Sequence, residues 1–319
     1  MKISVLGCGR WGTFLAWYLH RIGHEVTLYG REGSARMDAL IATRTNGVTT
    51  LPEEMTLTRD LKTALESPVL VISVGSQSLR GLIKEIAALC PAEKKTYVLC
   101  MKGLEIGTGK RLSTIVREEA GESAGVAVWL GPGHVQEFTA GIPNCMVLDS
   151  EDEALKERLV AELSGDLIRF YYGRDLLGNE VGAAAKNVIG IAAGMLDGLH
   201  LSSLKGALMS RGTREIARLI AALGGSELSA YGLCHLGDYE ATVFSQYSHN
   251  RRYGEALILG QKFEELAEGC HTVRALVKLG EETGVSLPIC HAVYGMLYEN
   301  ADPHKTLDAL FSRSLKNEF

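Results

Sequence analysis

The chain opens on a short apolar run, residues 3–6, that passes at once into Gly7-Cys8-Gly9-Arg10-Trp11-Gly12 and then into helical periodicity over 13–21, closed by Gly23. A second strand pattern follows at 24–29. Strand, glycine turn, helix and strand within about 30 residues is the context in which a G-x-G-x-x-G match carries weight, because it makes the loop the first turn of a dinucleotide-binding βαβ unit. Each glycine then has its own task. Gly7 makes the turn, Gly9 lets the backbone approach a pyrophosphate, and Gly12 permits close helix–sheet packing, with the phosphates at the helix N-terminus.

Further strand patterns at 69–74, 96–101 and 126–130 alternate with helical ones at 81–89 and 111–120. This alternation builds a parallel, doubly wound sheet. A strand at 144–148, a helix at 151–163 and a last strand at 168–172 extend it. After residue 181 the strand signals stop, and segments 182–196, 206–223, 240–248, 253–259, 271–283 and 288–299 read as helices joined by short glycine-containing loops. The expected architecture is therefore an α/β Rossmann-type dinucleotide-binding domain over 1–180, followed by an all-α substrate and catalytic domain over 181–319. A length of 319 residues suits two domains.

Composition excludes several classes. Hydrophobic residues make up 46% and charged residues 22%, as in globular chains and unlike disordered ones. A formal net charge of −5 provides no general field for nucleic acid or an anionic membrane, so an anion must be captured locally. The seven cysteines are scattered with no C-x-x-C pair, which argues against a disulfide framework and for a reducing compartment. The most apolar segment, 181–196, is about 16 residues long and short of the ~20 that span a bilayer. No signal-peptide pattern opens the chain, so a cytoplasmic protein without stable membrane insertion is expected. The histidines show no metal-ligand spacing and no G-x-S-x-G marks a serine nucleophile.

Polar residues stand out against this background. The second strand ends Leu28-Tyr29-Gly30-Arg31, with no carboxylate for a ribose 2′-hydroxyl before Glu32. Arg31 suits a 2′-phosphate or is a surface arginine; NADP is tolerated on the first reading. Lys186 and Asn187 interrupt a helix of Gly, Ala, Val and Ile. A lysine there is either a desolvated acid–base group or a side chain snorkelling from the helix end. Asp238 is positioned to orient a lysine or to cap the next helix. The run Ser248-His249-Asn250-Arg251-Arg252 can hold a phosphate or form a solvated basic loop.

Taken together, the motifs resemble the bacterial NAD(P)-dependent sn-glycerol-3-phosphate dehydrogenases essentially from end to end. The resemblance is carried by Gly7-Cys-Gly-Arg-Trp-Gly-Thr13, Leu28-Tyr-Gly-Arg31, Met101-Lys-Gly-Leu-Glu105, Gly131-Pro-Gly-His134, Lys186-Asn-Val188, Ser210-Arg-Gly212 with Glu215, Gly237-Asp238, Asn250-Arg-Arg-Tyr-Gly254 and Glu268-Gly269. It implies reversible NAD(P)H-dependent reduction of dihydroxyacetone phosphate to sn-glycerol 3-phosphate, a glycerophospholipid precursor, by a cytoplasmic homodimer. By the same resemblance Lys186, Asp238 and Lys102 are catalytic. Lys102, Gly131, Gly133, Lys186, Asn187, Asp238, Ser248, His249 and Asn250 bind substrate, the last three at its phosphate end. Gly7, Gly9, Arg10, Trp11, Gly12, Arg31, Lys102, Val135, His249, Leu266 and Glu268 bind NADP or NAD, and no metal is implied.

The departures from the family pattern fall on substrate contacts. His249 stands where the family has arginine, Gly133 where it has Ser or Thr, and Val135 where it has alanine; the segment 200–206 is one residue shorter. Losing a charge-assisted contact removes about 1.5–3 kcal/mol, and Arg251, Arg252 or Lys205 is the expected source of replacement charge. The altered loop leaves room for a dehydrogenase of another small phosphorylated or carboxylated 2-hydroxy compound. Lys102, Lys186 and Asp238 argue against a non-catalytic dinucleotide sensor.

Overall fold

A computed structural model describes residues 1–90, 94–314 and 317–318 of the chain. The short apolar runs form an eight-stranded sheet: β1 (Lys2–Leu6), β2 (Glu25–Tyr29), β3 (Thr56–Thr58), β4 (Val69–Ile72), β5 (Thr96–Leu99), β6 (Gly125–Leu130), β7 (Asn144–Asp149) and β8 (Ile168–Tyr172). Their spatial order is 3-2-1-4-5-6-7-8. Every residue of β4 is buried, as expected of a strand covered on both faces. The order reverses between β1 and β4, so the turn after β1 opens at the switch point, the ligand-binding crevice of doubly wound sheets.

The first unit carries α1 (Arg10–Arg21), α2 (Ala35–Thr43), α3 (Leu61–Ala64), α4 (Leu79–Leu89), α5 (Leu112–Ala120), α6 (Val135–Thr139) and α7 (Glu153–Leu163). α1 buries Phe14, Leu15, Tyr18 and Leu19 in the core beside the sheet. One strand departs from the expected parallel arrangement: β7 runs antiparallel to β6. The link between them, with the five-residue α6, returns the chain from the same end of the sheet at which β6 finished. α2 and β3 carry no apolar period strong enough to be expected from sequence.

Helices make up the rest: α8 (Leu176–Gly198), α9 (Lys205–Ala222), α10 (His249–Ile258), α11 (Glu268–Thr283), α12 (Pro288–Tyr298) and α13 (Pro303–Phe311). No strand follows Tyr172 among the described residues. Residues 1–102 and 110–180 form one compact unit, and 103–109 with 181–319 the other. The short segment 103–109 groups with the helical unit, where Lys278 donates to the Gly107 carbonyl. A single cut in the sequence does not express that excursion, and the change of unit at 180 falls inside α8.

Two expected segments take a different form. Residues 240–248 contain one π-helical turn, Glu240–Phe244, the kind of irregularity often found at functional sites. The polar run 248–252 is not a loop: Ser248 caps α10 by accepting from the Arg251 N–H, and the run forms that helix's first turn. α8 and α10 meet backbone to backbone. A Cβ at Gly194 would lie 1.8 Å from the Arg251 carbonyl oxygen, and one at Gly254 would lie 2.1 Å from that of Ile191.

Candidate functional site

The glycine turn separates what the protein itself requires from what a ligand requires. Gly7 has φ +118° and its added Cβ would sit 2.2 Å from the Ser73 carbonyl oxygen; one at Gly12 would sit 1.9 Å from that of Gly7. Both positions exclude side chains for internal reasons. Gly9 has ordinary extended angles, φ −72° and ψ 179°, and an added Cβ would meet nothing closer than Arg36 Nη1 at 3.8 Å. Nothing in the fold demands glycine there, whereas a pyrophosphate lying against the backbone does. Gly9 also caps α1 without a side-chain bond, and the first turn of α1 holds no acidic residue, so its N–H groups suit an anion. The residues present therefore fit a dinucleotide.

The other first-unit candidates surround this turn and the ends of neighbouring strands. Arg10 begins α1 and is exposed, while Trp11 packs on Phe14 and Phe138 at ring separations of 5.2 and 6.1 Å. Arg31 is exposed just past β2. Gly30, one residue earlier, has no room for a carboxylate: its Cβ would lie 2.7 Å from Cys8 Sγ and 2.8 Å from Met37 Cβ. Lys102 Nζ donates to the Gly131 carbonyl at 2.7 Å, and Val135 is the buried first residue of α6.

Gly133 has a physical explanation that the sequence does not display. With φ +147°, its Cβ would fall 2.3 Å from Phe138 Cε2, a ring itself stacked on Phe14 at 5.0 Å. The aromatic cluster occupies the space in which the family's Ser or Thr side chain would begin. Gly133→Ser is therefore expected to lower stability by about 2–4 kcal/mol through overpacking and backbone strain. Chemical denaturation measures this; a variant as stable as the parent would remove Phe138 as the reason for the glycine.

In the helical unit the lysine resolves towards the buried reading. Lys186 Nζ lies 2.9 Å from Asp238 Oδ2 and donates to Thr242 Oγ1 at 2.6 Å, and both Lys186 and Asp238 are buried. Thr242 donates in turn to the Asp238 carbonyl at 2.7 Å. Thr242 was not singled out from sequence; its signal is the spacing of four residues from Asp238, which one turn of helix brings onto the same face.

Three residues before Asp238 stands a buried histidine whose backbone carbonyl accepts from the Asp238 N–H at 3.0 Å. His235 Nδ1 donates to the Gly182 carbonyl at 2.8 Å, which leaves Nε2 to accept from Tyr239 OH at 2.7 Å. Burial foremost, with the Lys186 charge adding, pushes this histidine down to about 4 from 6.5. The unfolded chain binds that proton more readily, so stability is lost as pH falls from 6.5 towards 4, by about 3 kcal/mol in total. Urea unfolding across this window should show a shallower pH slope for His235→Gln; equal slopes would exclude the imidazole as its source.

Around the start of α10 the candidates form linked pairs. Asn250 Nδ2 donates to Asn187 Oδ1 at 3.1 Å and its Oδ1 accepts from the Gly269 N–H at 2.9 Å, next to Glu268 at the start of α11. Leu266 is exposed just before it. His249 Nε2 lies 3.0 Å from Glu265 Oε2, which Arg252 also approaches at 3.3 Å. Arg251 and Lys205 do not supply spare positive charge: both lie 2.7 Å from Asp197 Oδ2, and Arg251 also pairs with Glu255. Asp197 thereby ties α10 to α8, and of the three expected sources of replacement charge Arg252 is left, already shared with Glu265.

Residues 2–156 match the family described as NAD-dependent glycerol-3-phosphate dehydrogenase N-terminus, and residues 175–308 match the corresponding C-terminus. The chain belongs to that family. A glycerol-3-phosphate dehydrogenase [NAD(P)+] of Thermus thermophilus is 40% identical over 331 aligned residues, covering 100% of both chains. One from Thermoanaerobacter sp. is 35% identical over 331, covering 100% of this chain and 99% of the other. A crystal structure of the Coxiella burnetii glycerol-3-phosphate dehydrogenase superposes with a TM-score of 0.90 at 30% identity, covering 98% of this chain and 99% of that one. Membership makes the chain an oxidoreductase of CH–OH groups that uses NAD or NADP, and its fold is that of the family. No helix among the described residues is long and apolar enough to cross a membrane.

Proposed function

We propose that the chain catalyses reversible reduction of dihydroxyacetone phosphate to sn-glycerol 3-phosphate, with Lys186 as the proton donor at the C2 oxygen. The observation that carries this reading is the buried Lys186–Asp238–Thr242 group on a chain of this family. When bound, the reduced nicotinamide supplies the hydride that C2 receives. Lys186 gives one ammonium proton to the C2 oxygen as negative charge develops there, and in the reverse direction the neutral amine takes it back. Asp238 and Thr242 keep Nζ aimed and stay as they are through the step.

Lys102, beside the Gly131 carbonyl, together with Gly133 and Asn187, binds the substrate's oxygens, and Ser248, His249 and Asn250 receive its phosphate. The turn Gly7, Gly9, Arg10, Trp11 and Gly12 takes the pyrophosphate, and Arg31 a 2′-phosphate. Lys102, Val135, His249, Leu266 and Glu268 complete the dinucleotide contacts. A cytoplasmic homodimer completes the proposal, on the family resemblance.

A second reading, a dehydrogenase of another small phosphorylated or carboxylated 2-hydroxy compound, draws on His249, whose ring faces Glu265 where a guanidinium is expected. A kinetic panel separates the two. Dihydroxyacetone phosphate should be preferred by orders of magnitude over dihydroxyacetone and over 2-keto acids; a 2-keto acid ranking first would overturn the first reading. His249→Arg should lower the KM for dihydroxyacetone phosphate about tenfold by adding a charge-assisted bond. Loss of activity in that variant would mean that position 249 serves a different substrate.

A further inference from the structure

We propose that the helical unit holds a second ligand site, for a long-chain fatty acid, in a cavity bounded by α8, α9, α12 and α13. The cavity has a volume of about 840 Å³, within the ~300–1,000 Å³ of small-molecule sites. None of Lys186, Asp238 or Ser248–Asn250 lines it. Its walls are aliphatic and thioether side chains, among them Met195, Leu208, Met296 and Leu310.

Three arginines break this apolar lining: Arg211, Arg218 and Arg313. Among the described residues each donates to a neutral oxygen: Arg218 to the Ser286 carbonyl at 3.0 Å, Arg313 to Ser286 Oγ at 3.4 Å, and Arg211 to the Glu318 carbonyl at 3.4 Å. Among the described residues none of them has a carboxylate within 4.0 Å, although Arg218 is close enough to Glu215 to act on it electrostatically. Arg218 and Arg313 reach the same serine, so two guanidinium groups stand together at one end. Among the described lining residues the carboxylates are Glu215 and Glu318. Glu215 accepts from the Ile289 and Cys290 N–H groups at 2.9 and 3.0 Å and also feels the charge of Arg218, so three arginines stand against two carboxylates among the described lining residues.

The outer wall supports the same occupant. α13 buries none of its residues, and Phe311 remains 67% exposed although it faces an apolar space. A chain of methylenes would cover that wall at ~0.8 kcal/mol per CH₂ buried, while its carboxylate meets the paired guanidiniums bidentately.

The full chain should bind cis-parinaric acid saturably, one per chain, and oleate should displace it in the micromolar range. Oleyl alcohol, of equal length but uncharged, should be at least tenfold weaker. Ala292→Phe, which fills the cavity, should abolish binding while the dihydroxyacetone phosphate reaction proceeds at the parent rate. Arg218→Gln with Arg313→Gln should weaken oleate at least tenfold, and this variant carries the test if Ala292→Phe does not fold. Displacement by oleyl alcohol equal to that by oleate, or binding unchanged in either variant, would overturn the proposal. So would a parent chain that takes no oleate but loses its dimeric mass on Ala292→Phe, since the cavity would then seat a second copy.

Discussion

Lys186→Met lowers kcat by roughly 10²–10⁴-fold, the span that a positioned acid–base group contributes. Methionine keeps the length and apolar stem of the side chain within the buried part of α8, so the lost quantity is the proton and not the packing. The change has a second consequence that can be separated from the first. Asp238, almost wholly buried and 2.9 Å from the missing ammonium, is left as an uncompensated carboxylate, at a cost of about 3–5 kcal/mol. Lys186→Met combined with Asp238→Asn removes both charges; it should recover most of that stability and none of the turnover. Binding of NADPH, read by its fluorescence, should persist in both variants because the glycine turn is untouched. A single variant with near-parent kcat would remove Lys186 from its role. A double variant that recovered activity along with stability would make the pair structural.

Gly9→Ser gives the opposite separation, a stable protein that does not bind its dinucleotide. Serine is a better helix cap than glycine or its equal, the backbone angles at position 9 suit any residue, and the nearest protein atom to an added Cβ is the mobile end of Arg36 at 3.8 Å. Stability should change by a few tenths of a kcal/mol at most. Affinity for NADPH should nevertheless fall on the order of 100-fold, about 2.7 kcal/mol, because the side chain projects where the pyrophosphate meets the backbone. Gly12→Ala provides the contrast: it collides with the Gly7 carbonyl and should destabilise the fold first. Thermal unfolding and a fluorescence titration on both variants check this, and unaltered affinity in Gly9→Ser would place the pyrophosphate elsewhere.

The difference between those two glycines shows where sequence is a sufficient guide. The turn at 7–12, the alternation of strands with helices and the loss of strand signals after residue 181 are local patterns, and each has its counterpart in the structure, where the last strand ends at Tyr172. Lys186 is conspicuous because a lysine among Gly, Ala, Val and Ile needs a partner, and Asp238 is nearby in composition but 52 positions away, roughly fourteen helical turns. What sequence does not express is pairing across elements. Thr242 matters because a π-turn brings its hydroxyl to Nζ. Arg251 reads as a free phosphate ligand until Asp197, on another helix, claims it. Gly133 reads as a lost hydroxyl until Phe138 fills the space. Ser248 reads as loop because the cap bond that starts α10 involves a backbone N–H that no side-chain pattern reveals. β3 and α2, short and polar, depend on neighbours already in place.

The most direct measurement mixes the parent chain with NADPH and dihydroxyacetone phosphate and follows the cofactor's absorbance while the product is identified by mass and by stereospecific oxidation. One NADPH should be consumed per sn-glycerol 3-phosphate formed, with the same activity lost in Lys186→Met. No consumption with either NADPH or NADH, by a folded protein that binds the cofactor, would contradict the proposed reaction.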